Sequence, residues 1–262
     1  MVKEPTLSLT DQFKMLRDIG FDGVELDAPG IDIPAVLAAI SASGLPVNGT
    51  IDRHHWSIRL SDPRSETRAT ALNHLLDAIR QTHAIGASSV LLVPGKVTDP
   101  LHENQQQVWD RSIEAIRLAL PLAAELGVFI AIENVWNGFN YLHDGPPDQS
   151  ADAFVRYIDT IDSPLVAMHF DIGNHQKYGR PDVWIRQLGS RRIVRLDVKD
   201  WGGPKRAFTP IGQGDVDWPA VRQALADIRF TGWAAAEVTP GNRDALALVS
   251  RQMDKYLLGI DP

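Results

Sequence analysis

The sequence predicts an α/β fold, an eight-fold (β/α)8 TIM barrel with its first strand short or missing, and three observations predict it. Strand-like and amphipathic helical segments alternate at roughly 25 to 40 residues per unit over the whole chain, with no linker or low-complexity break, so residues 1–262 read as one domain. Four strand-like segments end in a carboxylate at the same inward parity: Glu133, Asp171, Asp197 and Glu237. Glu25, His169 and Arg195 share that parity. As a mutually paired polar layer they suit the interior of a closed wall, whereas in a doubly wound open sheet, the runner-up fold, they would lie against helices.

Each element follows from local signals. Val2-Lys3-Glu4 is at best a strand stub. Ser8 or Thr10 then caps a helix running to Gly20, with Phe13, Leu16 and Ile19 on one face. Gly23–Asp27 is a short strand, Ile33–Ser43 a helix closed by Gly44, and Pro46–Asp52 a strand that ends in Arg53-His54-His55-Trp56. A long amphipathic helix covers Ser65–Ile85, and a strand covers Ser88–Val93. The helix Asn104–Leu126 contains Pro121, which predicts a kink or break there. Val128 to Glu133 is apolar and mostly branched until its last residue, the pattern of a strand buried on both faces. Asn137–Asp148 reads as a Gly/Pro-rich loop, followed by a helix through Phe154 and Ile158 and the strand Leu165–Asp171. Ile172–Gly179 reads as a loop, Asp182–Leu188 as a short helix opened by Pro181, and Ile193–Lys199 as a strand. Asp200–Asp217 is a long, basic, glycine-rich connection. The helix Trp218–Ile228, the strand Trp233–Val238 and the helix Arg243–Leu258 complete the chain.

Composition narrows the function. A net charge of −7 and a pI near 5.6 disfavour a nucleic-acid or anionic-membrane surface and point to small solutes. The absence of cysteine excludes disulfides, thiolate metal sites and a cysteine nucleophile, and it fits a reducing compartment. No apolar run approaches the roughly 18 residues that a membrane span needs, and the start has no apolar signal core, so a cytoplasmic protein is expected.

The convergent acids imply a metal. Four carboxylates in one low-dielectric site cannot all ionise unaided, and a divalent cation removes the conflict. Oxygen-only ligation by Glu133, Asp171, Asp197 and Glu237 suits Mn2+ or Mg2+, while an added histidine would move the choice toward Mn2+, Co2+ or Zn2+. The competing reading is that some of these acids pair with Arg195, Lys199 or Lys205. Among weaker candidates, His54 and His55 sit at a strand end but point in opposite directions, so one of them at most faces the mouth. His54 is taken as a substrate contact, as are His175, four residues beyond Asp171, and Trp136, a hydrophobic wall for a sugar face. Lys199, Lys205 or Arg206 could hold a phosphate, or belong to a solvated basic loop. His169 reads as an interior histidine.

The segments Gly20-Phe-Asp-Gly-Val-Glu-Leu26, Ala131-Ile-Glu-Asn134, Phe170-Asp-Ile-Gly-Asn174, Val198-Lys-Asp200, Gly212-Gln-Gly-Asp215 with Trp218, and Ala236-Glu237 together resemble the xylose isomerase-like sugar phosphate isomerases and epimerases, which share their barrel with AP endonucleases. The resemblance implies a metal held by Glu133, Asp171, the residue at 197 and Glu237, with Glu133 and Glu237 doubling as the acid and base that flank the reacting carbon. It thus implies a metal-dependent ketose or ketose phosphate epimerase, and a homo-oligomer, since the family tends to form dimers or tetramers. Two departures stand out. Asp197 replaces the family's more usual histidine, and few residues precede the first helix where such barrels place their first strand. A metal-dependent lyase, dehydratase or deglycosidase on a keto-sugar, or a sugar-binding barrel without activity, are the alternatives that the same residues leave open.

Overall fold

The wall of the fold is built from strands buried on both faces, and β4 (Phe129–Glu133) shows why. Ile130, Ala131 and Ile132 are fully buried, and their neighbour Gly127, left-handed at φ 65°, ends the preceding helix with its N–H on Ala123 O. In the computed structural model, which describes residues 2–3, 6–136, 138–140, 146 and 148–260, β4 is the centre of a seven-stranded, all-parallel, nearly closed barrel. Its order is β1 (Val24–Ala28), β2 (Val47–Asp52), β3 (Ser89–Leu92), β4, β5 (Val166–Asp171), β6 (Ile193–Val198) and β9 (Trp233–Ala236).

The helix α1 (Leu9–Asp18) precedes β1, and α2 (Ile33–Ser43), α3 (Ser65–Ala84), α4 (Gln105–Leu126), α5 (Asp152–Ile161), α7 (Pro181–Leu188), α8 (Trp218–Asp227) and α9 (Arg243–Gln252) alternate with the strands along the chain. The main core lies between this layer and the sheet. Ile79, Ile116, Phe154, Tyr157 and Trp184 from the helices meet Val90, Ile130, Ile132 and Phe170 from the strands. A smaller core under α1 and α2 gathers Phe13, Val36, Leu45 and Val47. Caps fall where short polar side chains precede each apolar face: Ser8 on α1, and an Asn104–Gln107 capping box on α4.

Four local expectations are corrected. Pro121 sits inside an unbroken α4, whose buried face of Ile116, Ala119 and Ala123 continues past it; packing outweighs the one backbone hydrogen bond that proline forfeits. The stretch after β5, expected as a loop, begins with the short helix α6 (Ile172–Gln176), capped by the Asp171 side chain on Asn174 N. The connection 200–217 contains an antiparallel hairpin, β7 (Asp200–Gly202) and β8 (Ala207–Thr209). The last helix changes pitch, running from α9 into a π-helical turn over Met253–Leu258. Of the loop expected at 137–148, residues 137, 141–145 and 147 lie outside the described residues, as does Glu4 of the initial stub.

The barrel has one gap. β1 and β9 are the two ends of the strand order, and among the described residues what stands between them at the mouth is a single parallel bridge, Val2 to Gly241, with Lys3 N donating to Gly241 O at 2.9 Å. The expectation of a short or missing first strand agrees with this arrangement.

One buried side chain holds the long connection in place. Asp200 accepts hydrogen bonds from Trp201 N (2.9 Å), Gly212 N (2.9 Å), Val216 N (3.2 Å) and Trp218 Nε1 (3.1 Å), with no exposure of its own. Gly214 must be glycine for the same reason, because a Cβ there would stand 2.1 Å from Asp200 Oδ1. Asp200→Ala strands several buried donors and is expected to cost about 3 kcal/mol or more. Lys205→Ala, at the exposed hairpin turn, is expected to stay within about 0.5 kcal/mol of the parent. Urea unfolding of both variants checks the contrast, and equal losses would contradict it.

Candidate active site

Barrel stagger brings the four predicted acids together. Asp171 pairs level with Asp197 across β5 and β6, Glu133 pairs with His169 one layer lower, and Glu237 follows β9 with its N–H on Val198 O. Carboxylate oxygens of Glu133, Asp171, Asp197 and Glu237 all lie within 4.8 Å of one another. The first three are buried and Glu237 is half-exposed at the mouth. Lys199 reaches into the cluster: its Nζ is 2.7 Å from Asp171 Oδ2 and donates to Glu237 Oε2.

The electrostatics follow from burial and crowding. Desolvation, then the charges of Asp197, Asp171 and Glu237, hold the Glu133 carboxyl well above its ordinary range. Burial likewise raises Asp171, against the pull of Lys199. Burial opposes the Lys199 ammonium, but Asp171 and Glu237 outweigh it and raise its pKa. One ammonium therefore faces four carboxylates. Such an oxygen-only donor set, with negative charge in excess, fits a hard dication, and Glu133, Asp171, Asp197 and Glu237 are the residues that would hold it.

Two asparagines, which the sequence reading did not single out as site residues, fix the acids. Asn134 exchanges hydrogen bonds with the Asp171 backbone, accepting from its N (2.7 Å) and donating to its O (2.9 Å). Asn174 donates to Glu133 Oε1 (3.2 Å), while its own N–H bonds Asp171 Oδ1 (2.9 Å). Their signal in the sequence is position: Asn134 directly follows Glu133, and Asn174 lies three residues after Asp171.

Beneath the cluster lies the polar layer expected from parity. Arg195 donates from Nε to Glu25 Oε1 (3.0 Å), from Nη1 to Asn48 O (3.0 Å) and from Nη2 to Asn48 Oδ1. His169 Nε2 stands 3.0 Å from Asp197 Oδ1. Burial opposes charge on His169, but Asp197 and Glu25 prevail and raise its pKa. Gly49 permits this layer, since a Cβ there would meet the Arg195 guanidinium at 2.8 Å.

The other candidates distribute unevenly. Trp136 stacks on Phe208 (5.2 Å, 7°) and meets Trp201 edge-on (5.1 Å), forming an aromatic wall that Lys177 caps at 3.9 Å and that Lys199 touches through Phe208 at 4.5 Å. His175 is buried against the Trp184 ring (3.9 Å), and burial pushes its pKa down to about 3. Lys205 is exposed at the hairpin turn. His54 turns away from the mouth and packs its ring at a tilt against His74, 4.3 Å away, in a turn where its backbone N–H is tied to Asp52 Oδ1 (2.9 Å). His55 is the neighbour that enters the interior. It lines, with Glu133, Asp197 and Glu237, a cavity of about 630 Å3 that passes through the β1–β9 gap to Phe13, Leu246 and Met253. A smaller cavity of about 270 Å3, around Phe129, Arg195 and Trp233, has no carboxylate in its lining.

A parallel barrel with its acids at the carboxyl ends of the strands defines a class of protein that performs chemistry at one mouth. Residues 13–254 match the model of the xylose isomerase-like TIM barrel, and the chain belongs to that family. It is 21% identical over 234 residues to the L-ribulose-5-phosphate 3-epimerase UlaE of Salmonella paratyphi A, covering 85% of this chain and 79% of the relative. The chain spans 66% to 79% of the length of the curated relatives it matches. The structure resembles that of the E. coli 3-keto-D-glucoside 4-epimerase YcjR, with a TM-score of 0.77 and 17% identity over 95% of both chains. It also resembles an IolI protein with a bound zinc atom, with a TM-score of 0.76 and 14% identity over 97% of this chain and 93% of that one. No described helix is long and apolar enough to cross a membrane.

The raised carboxyl of Glu133 sets a pH dependence. A group whose pKa rises on folding contributes stability that is complete below its unfolded value, here near 4.5, and lost as pH rises toward the folded value. Metal-free Glu133→Gln is therefore expected to melt higher than the metal-free parent at pH 8, with the difference vanishing as pH falls toward 4.5. The same variant should lose the rise in melting temperature that Mn2+ gives the parent. Calorimetric scans with and without Mn2+ at both pH values check this, and a variant less stable than the parent at pH 8 would contradict it.

Proposed function

We propose that this protein is a divalent-metal-dependent epimerase of ketoses or ketose phosphates, working by proton transfer between two glutamates. The observation that carries the reading is the buried four-carboxylate cluster at the barrel mouth, in a family whose relatives include sugar epimerases. Mn2+ or Mg2+ suits the oxygen-only set best, and the zinc atom in the IolI structure supports metal binding at this fold. When bound, the cation stabilises negative charge on the substrate oxygen next to the reacting carbon.

The chain's residues supply the rest. Glu237 receives a hydrogen bond from Lys199, which leaves it an acceptor beside the mouth, and it removes the proton from the carbon adjacent to the ketose carbonyl. The electron pair moves to the carbonyl oxygen, giving an enediolate. Glu133, whose carboxyl holds its proton well above the ordinary range, returns a proton to the opposite face. No atom is gained or lost overall, and one stereocentre inverts. Asn174 and Asn134 keep Glu133 and Asp171 in place, and the Trp136–Phe208 wall offers an apolar face to the sugar ring.

One observation favours a second reading, a keto-glycoside substrate: the cavity of about 630 Å3 is roomier than a single free sugar requires. A lyase on such a substrate would release water or an aglycone.

Turnover in deuterium oxide distinguishes these readings. An epimerase of this kind puts solvent deuterium on the inverted carbon, and Glu237→Gln lowers kcat by about 10^3 while substrate still binds. Complete retention of the original hydrogen would establish intramolecular transfer instead, and release of water or an aglycone would establish the lyase.

A further inference from the structure

We infer that His55 is a substrate-binding residue of this site, a neutral hydrogen-bond donor of fixed tautomer that presents Nε2–H to an oxygen of the bound ketose. The inference rests on the epimerase reading for the identity of the ligand, but its structural half stands on geometry alone.

That geometry begins at the end of β2. Asp52 accepts the His54 backbone N–H, and the turn that results sends His54 outward onto His74 and His55 inward. At the end of β3, Val93 N donates to His55 Nδ1 at 3.2 Å. A nitrogen that accepts this bond carries no proton, so the proton resides on Nε2, the nitrogen left for the cavity. Among the described residues no protein acceptor is assigned to it. The ring is buried, at 6% exposure, with Trp56 edge-on at 5.5 Å, so its direction is held on two sides.

The site has a use for such a group. Near the reacting position the cavity lining includes Asp197 and Glu237, which when ionised only accept hydrogen bonds, and Glu133, whose proton the proposed reaction commits to the inverting carbon. They serve the hydroxyl hydrogens of a sugar. They cannot serve a carbonyl oxygen or the lone pairs of a hydroxyl. Lys199 is a donor, but two of its three N–H groups go to Asp171 and Glu237. His55 supplies what is missing, and without adding a charge to a crowded electrostatic site. Burial supports this role by pushing its pKa down to about 4, so the ring stays neutral over the range in which the protein would operate.

The test uses 15N-labelled, Mg2+-loaded protein and four probes: D-allulose, D-tagatose, L-ribulose 5-phosphate and methyl 3-keto-D-glucoside. Imidazole 15N spectra of the resting protein should show His55 protonated on Nε2, and a bound probe should shift that nitrogen. By calorimetry, His55→Phe, which removes the donor, should weaken the bound probe about 10-fold, the equivalent of one hydrogen bond. His55→Gln can both accept from Val93 and donate to the ligand, and it should stay within about threefold. If His55→Phe fails to fold, the spectra of the parent and the affinity of His55→Gln decide the matter. A resting ring protonated on Nδ1 overturns the inference. So does a probe that binds the parent tightly yet leaves both the His55 spectrum and the His55→Phe affinity unchanged, an outcome that leaves the epimerase reading intact. Binding of none of the four probes to the parent overturns the epimerase reading, and with it the ligand assigned to His55.

Discussion

Mutual repulsion among carboxylates is the constraint on which the rest of this structure depends. Glu133, Asp171, Asp197 and Glu237 sit within one small volume, three of them buried, and such an arrangement is unstable without counter-charge. The protein supplies part of it from two directions. Lys199 enters from above, bridging Asp171 and Glu237, and His169 lies below, against Asp197. Arg195 then balances Glu25, the fifth acid of the interior. What remains is a net negative site at the carboxyl ends of the strands, where a dication has the most to gain.

The polar layer under the cluster explains how the replacement of the usual histidine by Asp197 is accommodated. Aspartate is shorter and charged, so it adds repulsion to an already acidic site. His169 Nε2 lies 3.0 Å from Asp197 Oδ1, and Asp197 and Glu25 raise its pKa against complete burial. The imidazole absent from position 197 is thus present two residues before Asp171, beside the cluster. Asp197 belongs to both groups, the four-carboxylate cluster and the Glu25–His169 pair beneath it.

The gap between β1 and β9 shapes the other end of the site. Seven strands leave two sheet edges facing each other, joined at the mouth by the Val2–Gly241 bridge alone among the described residues. The interior therefore opens sideways toward α1 and α9, and the cavity that begins at the glutamates continues past apolar side chains such as Phe13 and Leu246. Polar chemistry at one end and apolar lining at the other give this cavity a direction. The Asp200-anchored hairpin and its Trp201–Phe208–Trp136 wall cover the opposite side of the mouth.

Strand periodicity alone determined much of this protein. In Val128–Glu133, and in the strands ending at Asp171 and Asp197, side chains alternate with period two, so a run of apolar residues ending in an acid fixes which acids share a face. That argument reached the four carboxylates, the Glu25–His169–Arg195 layer and the closed wall that such a layer needs. It stopped where the chain leaves a strand. Whether His54 or His55 enters the interior depends on the Asp52 hydrogen bond that sets one turn, and periodicity carries no information there. Lys199 ends a strand and Lys205 sits in the connection after it, both open to a phosphate role in the sequence, yet only Lys199 meets Asp171 and Glu237. The roles of Asn134 and Asn174 required knowing which backbone groups would be left unpaired beside the acids. The local alternation of side chains was written in the sequence, but the partners of single polar groups, which depend on contacts between residues distant in the chain, were decided only by the tertiary structure.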